Sequence, residues 1–370
     1  MATILGFPEF DSNKRKILWF SRGRGRGHAI PDLEIARELE RLDPSAQIHF
    51  VSYGTGARTL EEFGRSVVDL GLPDLGSITD STVLSGKLIG WLEPDLVVSH
   101  EEFPALPAAK IFARPTVAIL DFFSGADSLA MQSLRFADRV IFTDWRGYFE
   151  EPAFLKGKVH YTGPVLRRFE YARKDRARAR RELGIAADAL VVAVLPGTWT
   201  EAMAPIAKQV WAAFAQLPAP KHLIWLAGAD FASLAPHARA NVTVIERDYR
   251  IERLMGAADV AITKSSRKTV IELEALGIPA VNISYGHNPM DDRRAAAVAS
   301  HRMMAGGKLT AKALGRDVAA LAASRPKLIP WRNTAARAAG QLLRCYLRHL
   351  PEHVGGGGSP ASKRRIHSAK

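Results

Sequence analysis

A helix that begins just after a short strand carries residue types suited to hold a phosphate and a pair of hydroxyls. The run Ala258–Ile262 is apolar enough for a buried strand, and small polar residues precede a helix predicted to start near Thr269. A helix start offers backbone N–H groups and a positive dipole end to an anion. Glu272 lies one turn further on, where its carboxylate can accept hydrogen bonds from two vicinal hydroxyls. This pattern indicates a nucleotide site, with an ordinary surface glutamate as the alternative for Glu272.

A glycine-rich turn that ends in a histidine is the second candidate for chemistry. The turn Ser21–His28 alternates arginine with glycine after the first predicted strand, and glycine lets the backbone approach a ligand closely. His28 can act as a general base because the pKa of an unperturbed imidazole lies near neutrality, or it can simply cap the following helix. A dinucleotide-binding turn needs a glycine where His28 stands and an acid after the second strand, so NAD is disfavoured.

Both segments resemble the MurG-like family of glycosyltransferases, whose donor-binding domain is of the glycosyltransferase family 28 type. In that family a carboxylate at the position of Glu272 binds the ribose of UDP. The family's first loop is rich in glycine and ends Gly-His before a proline, as Gly27–Pro31 does here. The resemblance extends from about Lys16 to about Gln341. It implies an α/β fold of the GT-B type, two Rossmann-like domains facing a cleft, and an inverting transfer with His28 as the base.

The resemblance assigns further residues to the sugar-nucleotide donor. Gly197–Thr200 stands in the place of a second glycine-rich loop that faces the diphosphate, and Arg247 lies in the loop whose backbone reads the uracil ring. Asp291 and Asp292 stand where the family commonly has glutamines that hold the donor sugar. Ionised carboxylates accept hydrogen bonds and cannot donate them, so they suit sugar hydroxyls better than an N-acetyl carbonyl. The predicted donor-binding set is Gly197, Thr198, Thr200, Arg247, Lys264, Ser265, Ser266, Thr269, Glu272, Asp291 and Asp292.

The predicted acceptor side is smaller and leaves the acceptor open. Glu101 and Glu102 follow a buried strand; either can orient His28, bind an acceptor hydroxyl, or merely begin the next helix. In the family the first domain holds the acceptor, and an apolar, basic patch meets the membrane. The corresponding segment Ser77–Glu93 is predicted to form a helix whose apolar residues, Trp91 among them, face the core. The predicted acceptor or loop residues are Gly25, Gly27, Glu101 and Glu102.

No metal and no cofactor are expected beyond a UDP-sugar as co-substrate. The adjacent acids Asp291 and Asp292 resemble a metal-binding pair. Transferases of this two-domain fold generally need no bound metal, because helix ends and loop amides stabilise the leaving diphosphate.

Short apolar runs alternate with helical segments along the chain, which predicts parallel sheets with crossover helices. The runs fall into two series separated by the arginine-rich stretch Arg167–Arg181. We therefore expect an N-terminal acceptor domain over 1–166, a basic connector over 167–182, a C-terminal donor domain over 183–350 and a disordered basic tail over 351–370. The predicted strands are Lys16–Phe20, Ile48–Ser52, Asp95–Ser99, Thr116–Leu120, Arg139–Phe142, Leu190–Leu195, His222–Leu226, Val242–Ile245, Val260–Thr263 and Ala280–Ile283.

Composition is typical of a globular α/β protein with an anionic partner. The 370 residues are 47% hydrophobic and 24% charged, with a net charge of +13. A single cysteine, Cys345, excludes an intrachain disulfide framework. The start reads as too polar for a signal peptide, and no apolar stretch reaches the length of a membrane span. These features predict a cytoplasmic protein. Together with the family resemblance they imply an enzyme, peripheral at the inner face of an anionic membrane, that does not bind nucleic acid.

Two other functions fit parts of the pattern. A nucleotide-sugar epimerase or hydrolase of the same fold would consume the donor without an acceptor. A non-catalytic protein with a basic surface would bind polyanions with a steep dependence on salt and would ignore free nucleotide. The chain is predicted to be a UDP-sugar-dependent hexosyltransferase that moves a hexose or N-acetylhexosamine to a lipid-linked, glycan or small-molecule hydroxyl.

Overall fold

Two parallel β-sheets with helices between their strands follow one another along the chain. The computed structural model describes residues 10–72, 78–123, 128–170, 173–196, 203–226, 239–245, 251–286, 289–324 and 334–349. Within these ranges the first sheet has seven strands and the second has six. The predicted α/β architecture with two Rossmann-like units is confirmed.

The first sheet is built from residues 15–161. Its strands are β1 (Arg15–Ser21), β2 (Ala46–Ser52), β3 (Val67–Asp69), β4 (Leu96–His100), β5 (Thr116–Leu120), β6 (Arg139–Phe142) and β7 (Val159–Tyr161). The α-helices between them are α1 (Ala29–Leu42), α2 (Gly54–Glu62), α3 (Ile78–Leu92), α4 (Ala105–Ile111) and α5 (Leu129–Ser133). The strand order is β3-β2-β1-β4-β5-β6-β7, so the chain reverses direction across the sheet between β1 and β4. In open parallel sheets a ligand crevice opens at such a reversal, outside the carboxyl ends of the strands.

The second sheet repeats this plan. Its strands are β8 (Leu190–Leu195), β9 (Lys221–Leu226), β10 (Val242–Ile245), β11 (Val260–Lys264), β12 (Ala280–Ser284) and β13 (His301–Ala305). The accompanying helices are α6 (Arg176–Glu182), α7 (Met203–Gln216), α8 (Glu252–Ala257), α9 (Arg267–Leu276), α10 (Pro289–Ala296) and α11 (Ala311–Ala323), followed by α12 (Ala335–Arg348). The order β10-β9-β8-β11-β12-β13 reverses between β8 and β11, which directs the end of β11 toward a crevice.

The central strands are apolar on both faces because helices cover both faces of each sheet. Trp19 of β1 and Phe50 of β2 are fully buried, and their rings lie 5.6 Å apart in the core of the first sheet. Ile262 of β11 and Val281 of β12 are buried in the same way in the core of the second sheet. Buried strands of this kind hold the loops at their ends in fixed positions, which is where both candidate chemical segments lie.

The last helix packs on the first sheet. Ala338 and Leu342 of α12 belong to the same buried cluster as Ile17 of β1 and Leu39 of α1. Arg139 of β6 also donates a hydrogen bond to the side chain of Gln341. Although α12 falls within the predicted range 183–350, its apolar face is buried by α1. The predicted boundaries stay predictions.

The described helices include none with the length and apolar character required to cross a bilayer.

Candidate active site

A cavity of about 280 Å³ lies between the carboxyl ends of the central strands of the two sheets. The first sheet contributes the turn after β1 and the residues that follow β4 and β5. The second sheet contributes the start of α9 and one residue of α10. The lining residues are Arg22, Arg24, Gly27, His28, Glu101, Asp121, Phe122, Ser266, Arg267, Lys268 and Asp291. Both crevices that the strand orders predict therefore open into one site.

His28 is paired with Glu101 in this cavity. The Nε2 atom of His28 lies 3.0 Å from Oε2 of Glu101, and the His28 side chain is only 14% exposed. The other ring nitrogen, Nδ1, is buried without a hydrogen-bond partner among the described residues. In the tautomer that this contact favours, Nε2–H donates to the carboxylate and Nδ1 can accept a proton. Glu101 therefore fixes the tautomer of His28, and the nitrogen left free to accept a proton, Nδ1, is buried.

Glu101 is held in place by the backbone as well as by its partners. Its φ is 54°, in the left-handed region that non-glycine residues seldom occupy. Its Oε1 accepts a hydrogen bond from the backbone N–H of Asp121 at 3.0 Å, and Arg22 Nη1 lies 3.4 Å from Oε2. Burial raises the pKa of Glu101, but His28 and His100 outweigh burial and hold this pKa below its ordinary value. The carboxylate is therefore ionised at neutral pH.

A second histidine–carboxylate pair lies behind the first. The fully buried His100 has Nδ1 2.7 Å from Oδ1 of Asp32, and its ring packs edge-on against His28 with centroids 4.7 Å apart. Its Nε2 has no hydrogen-bond partner among the described residues and lies 3.8 Å from Oδ1 of Asp121. Burial lowers the pKa of His100, but Asp32 and Asp121 together raise it to about 10. His100 is therefore a buried cation beneath the site.

Asp121, at the end of β5, joins the two sheets through ion pairs. Its Oδ1 lies 2.7 Å from Lys268 Nζ, and its Oδ2 lies 3.6 Å from Arg267 Nη2. Arg267 also donates to the backbone carbonyl of Asp121, and the hydroxyl of Thr143 donates to its carboxylate. Burial opposes ionisation, but Lys268 and Arg267 hold the pKa of Asp121 well below its usual range. These contacts are the polar bridge between the sheets at the cavity.

Four of these side chains are close enough to share a metal ion. Ligand atoms of His28, His100, Glu101 and Asp121 all lie within 4.8 Å of one another. Lys268 already pairs with Asp121. The raised pKa of His100 keeps its imidazole protonated beside Asp32 and Asp121. A protonated imidazole cannot ligate a metal, because a ligating histidine must be neutral. The predicted absence of a metal stays a prediction.

Helix α9 begins at Arg267, two residues before the predicted start. Ser266 is its N-cap residue, and the first turn contains Arg267, Lys268 and Thr269. Sequence reasoning treated this segment as small polar residues and missed the two cations. Ser266 lines the cavity, whereas Thr269, Lys264 and Ser265 do not line it. The Ser265 hydroxyl instead lies 4.0 Å from Sδ of Met303, and Lys264 is half-buried at the end of β11.

Glu272 lies on α9 away from the cavity and already has a partner. It is 4% exposed, and its Oε1 accepts a hydrogen bond from Nε of Arg167 at 2.7 Å. Arg167 Nη1 also lies 3.6 Å from Oε2 of Glu252. The first residue of the predicted connector thus occupies the carboxylate that the family resemblance assigns to ribose. A ribose would have to share Glu272 with Arg167 or displace it.

The two acids after β4 have different surroundings, which the sequence left open. Glu102 does not enter the cavity: its Oε1 accepts from the Ser81 hydroxyl at 2.5 Å and its Oε2 from the Tyr53 hydroxyl at 3.2 Å. Burial raises the pKa of Glu102. Its role is to join α3 to the loop before α2.

Of the two predicted loop glycines, Gly27 lines the cavity and Gly25, whose φ is 71°, does not.

Of the two predicted sugar-binding acids, Asp291 lines the cavity and Asp292 does not. Burial raises the pKa of Asp291 to about 6, although Arg267 and Lys264 oppose the shift. Asp292 accepts a hydrogen bond from the hydroxyl of Ser284. The predicted residues Gly197, Thr198, Thr200 and Arg247 lie outside the residues that the structure describes.

The helix α3 is only partly a core helix. Leu88 and Ile89 are buried as predicted, but Trp91 is 45% exposed, which corrects the prediction that it faces the core. Ile78 and Val83 of α3 are also exposed, as are Ile111 and Phe112 at the end of the adjacent α4. We call these five residues, Ile78, Val83, Trp91, Ile111 and Phe112, the apolar patch.

The chain is similar to bacterial transferases over most of its length. A Mycobacterium avium (strain 104) protein named UDP-N-acetylglucosamine--N-acetylmuramyl-(pentapeptide) pyrophosphoryl-undecaprenol N-acetylglucosamine transferase is 30% identical over 358 residues, covering 85% of this chain and 83% of that protein. The protein of the same name from Desulforudis audaxviator (strain MP104C) is 28% identical over 348 residues, covering 81% of this chain and 90% of the relative. No protein-family model matches the chain.

Solved structures agree with the fold. The crystal structure of Acinetobacter baumannii MurG matches with a TM-score of 0.61 at 17% identity, covering 89% of this chain and 99% of the other. A putative UDP-N-acetylglucosamine 2-epimerase from Listeria monocytogenes matches with a TM-score of 0.64 at 13% identity, covering 90% and 96%. These likenesses establish the GT-B architecture.

Proposed function

From the premise that the chain belongs to the MurG-like family of glycosyltransferases, we propose that it transfers a sugar from a UDP-sugar to a hydroxyl acceptor with inversion at the anomeric carbon. The observation that carries this proposal is the pairing of His28 with Glu101 in a cavity that both sheets line. A base on one sheet faces an anion-binding helix start on the other, as a transfer between two bound substrates requires.

The proposed donor is a UDP-hexose or UDP-N-acetylhexosamine. The names of the relatives support UDP and N-acetylglucosamine. The start of α9 supports the diphosphate, because its N-cap residue Ser266 lines the cavity and a helix start offers backbone N–H groups to an anion. Asp291 is the acid positioned to accept hydrogen bonds from the sugar, and Glu272, further along α9, is the proposed ribose ligand. We propose no cofactor and no metal.

The proposed reaction needs only a base and anion stabilisation. His28 takes the proton of the acceptor hydroxyl as that oxygen attacks the anomeric carbon. The bond between this carbon and the β-phosphate oxygen breaks, and UDP leaves with the bonding electrons. Glu101 stabilises the imidazolium that forms, and the start of α9 stabilises the charge on UDP. One displacement from the opposite face inverts the configuration.

The proposed acceptor is lipid-linked, and the proposed site of action is the cytoplasmic face of an anionic membrane. The acceptor in the relatives' names is an N-acetylmuramyl-(pentapeptide) pyrophosphoryl-undecaprenol, and the exposed side chains of the apolar patch on α3 and α4 support contact with lipid. The net charge of +13 favours an anionic surface. Sedimentation with anionic vesicles tests this contact, and a protein that stays in the supernatant at low salt contradicts it.

The domain roles follow the same proposal. The unit over 1–166 holds the acceptor, residues 167–182 connect, and the unit from 183 holds the donor, with α12 returning to the first sheet. Closure about the connector would exclude water from the donor. Arg167 of this connector contacts Glu272, so ribose binding and closure are expected to influence each other.

A nucleotide-sugar epimerase or hydrolase is the second candidate, favoured by the structural likeness to the putative 2-epimerase. Such an enzyme consumes donor without an acceptor, whereas the proposed transferase requires one.

UDP release from UDP-N-acetylglucosamine and UDP-glucose, with and without a lipid-linked N-acetylmuramyl acceptor, tests the proposal. We expect acceptor-dependent release that falls by about 10²–10⁴-fold in His28→Ala, the contribution typical of a general base. The control is His349→Ala, an exposed histidine at the end of α12. Near-normal turnover of His28→Ala contradicts the base assignment, and equal release without acceptor favours the epimerase or hydrolase.

A further inference from the structure

Asp121 lies between cations that belong to different sheets. On one side Lys268 and Arg267 of the second sheet contact its carboxylate, the nearer at 2.7 Å. On the other side Nε2 of His100, in the first sheet, lies 3.8 Å from Oδ1 and has no hydrogen-bond partner among the described residues. The carboxylate therefore has a second cationic partner within a small displacement of its present position.

The cations on α9 have the properties of an anion site. Arg267 is only 7% exposed, lines the cavity, and has a buried Nε without a partner among the described residues. Lys268 lines the same cavity one residue further along the first turn. Guanidinium and ammonium groups beside free helix N–H groups are a typical phosphate environment. In this structure the anion they hold is Asp121.

We propose that Asp121 is a built-in competitor for the donor phosphates: its carboxylate pairs with Arg267 and Lys268, and the diphosphate of the donor displaces it toward His100. This inference rests on the proposed function and deepens it by naming two side chains that hold the diphosphate and the group they release.

Each anion has a cationic partner before and after the exchange. A diphosphate carries more negative charge than one carboxylate and offers several oxygens to a guanidinium, so it binds both cations more strongly. The released carboxylate remains buried and needs a cation, which His100 supplies because its pKa of about 10 keeps it protonated. Asp32 holds the far side of His100 through Nδ1, so the imidazolium stays in position.

The exchange also links donor binding to the contact between the sheets. The Asp121–Lys268 pair joins β5 to α9, and its replacement by donor contacts removes one polar bond across the cavity. A ligand shifts such an equilibrium only through contacts that differ between the two states, and here the phosphates supply that difference.

Calorimetric titration of UDP and of uridine against three full-length variants tests the inference. Asp121→Asn removes the competitor, and we expect its affinity for UDP to rise about tenfold, because a site freed from an internal ligand no longer pays for its displacement. Lys268→Met should weaken UDP by about tenfold. Uridine, which lacks phosphate, should bind all variants alike. The matched control is Asp138→Asn, since Asp138 accepts a similar 2.6 Å bond from Lys110 beside Thr116, at the opposite end of β5.

The possible outcomes separate this inference from the proposed function. Unchanged or weaker UDP binding by Asp121→Asn overturns the competition, and unchanged UDP binding by Lys268→Met overturns the phosphate assignment. Asp121→Ser answers the same question if the asparagine variant does not fold. Absence of binding by both UDP and uridine in every variant contradicts the nucleotide site itself.

Discussion

At the scale of single residues, the contrast between Glu101 and Glu102 is the clearest guide to chemistry. They are adjacent in the chain and both are buried. Only Glu101 contacts His28, because its left-handed backbone conformation turns the chain at the end of β4. Glu102 is enclosed by Ser81 and Tyr53. A carboxylate that contacts the base affects the reaction rate, whereas one that joins helices affects stability.

Glu101→Gln is expected to lower kcat of the transfer by about 10–100-fold while the KM for the UDP-sugar changes little, because the amide cannot stabilise the imidazolium. Steady-state kinetics with saturating acceptor measure this split. Glu102→Gln is the matched control and should alter thermal stability with kcat retained. If both variants lose the same fraction of kcat, Glu101 has no special relation to His28.

Asp291 gives a pH-dependent prediction. Its folded-state pKa of about 6 exceeds its ordinary value of 3.8, so the folded state retains this proton more strongly than the unfolded state. Its contribution to stability is therefore lost as pH rises from about 4 to about 6. Asp291→Asn should be more stable than the wild type at pH 7, and the difference should shrink toward pH 4. Thermal unfolding of both proteins across this range measures it, and a difference independent of pH contradicts the burial of the charge.

The residues that sequence reasoning identified were those with a local signature. His28 ends a glycine turn before a proline, and Glu101 follows an apolar strand, so both were named and both line the cavity. Asp121 and Arg267 were missed because their contact joins positions 146 residues apart. Only the placement of the two sheets brings them together. His100 directly follows the predicted strand Asp95–Ser99, but its pairing with Asp32 could not be predicted because the two residues lie 68 positions apart in the chain.

At the scale of elements, apolar runs located the strands at the centre of each sheet. Strands such as β5 and β8 begin and end where predicted, because helices on both faces demand continuous apolar sequence. The strands β3, β7 and β13 were not predicted. They lie at sheet edges, are short or mixed in polarity, and carry little pattern of their own. The apolar face of α12 is covered by α1 of the first sheet, which the sequence of the helix alone does not specify.

Leu342 of α12 tests the placement of that helix. It is fully buried against α1, so Leu342→Ala should lower the free energy of unfolding of the first sheet by about 2–5 kcal/mol, the usual cost of a buried leucine. Urea denaturation measures the loss. Leu347→Ala, on the same helix and 48% exposed, is the control and should cost less than about 0.5 kcal/mol. Equal effects in the two variants contradict the packing of α12 on the first sheet.

At the scale of the whole molecule, two sheets with matching reversals present their loops to one cavity. The first sheet supplies His28 and Glu101, and the second supplies the start of α9 and Asp291. Among the described residues, the proposed base and the proposed anion site come from different sheets, so the proposed chemistry depends on their meeting. Two ion pairs lie beside the proposed donor site. Arg167 of the predicted connector pairs with Glu272, and Asp121 pairs with Lys268, so a bound donor would alter contacts between the halves.

Thermal stabilisation by UDP, compared with ADP, GDP and UMP, tests the central claim of a UDP-sugar site most directly. A ligand that binds the folded state raises the unfolding midpoint by mass action. We predict that UDP raises the midpoint more than the other three nucleotides, and that Glu272→Ala responds much less. If no nucleotide at millimolar concentration shifts the midpoint, or if Glu272→Ala responds as the wild type does, the donor site assigned to α9 is wrong.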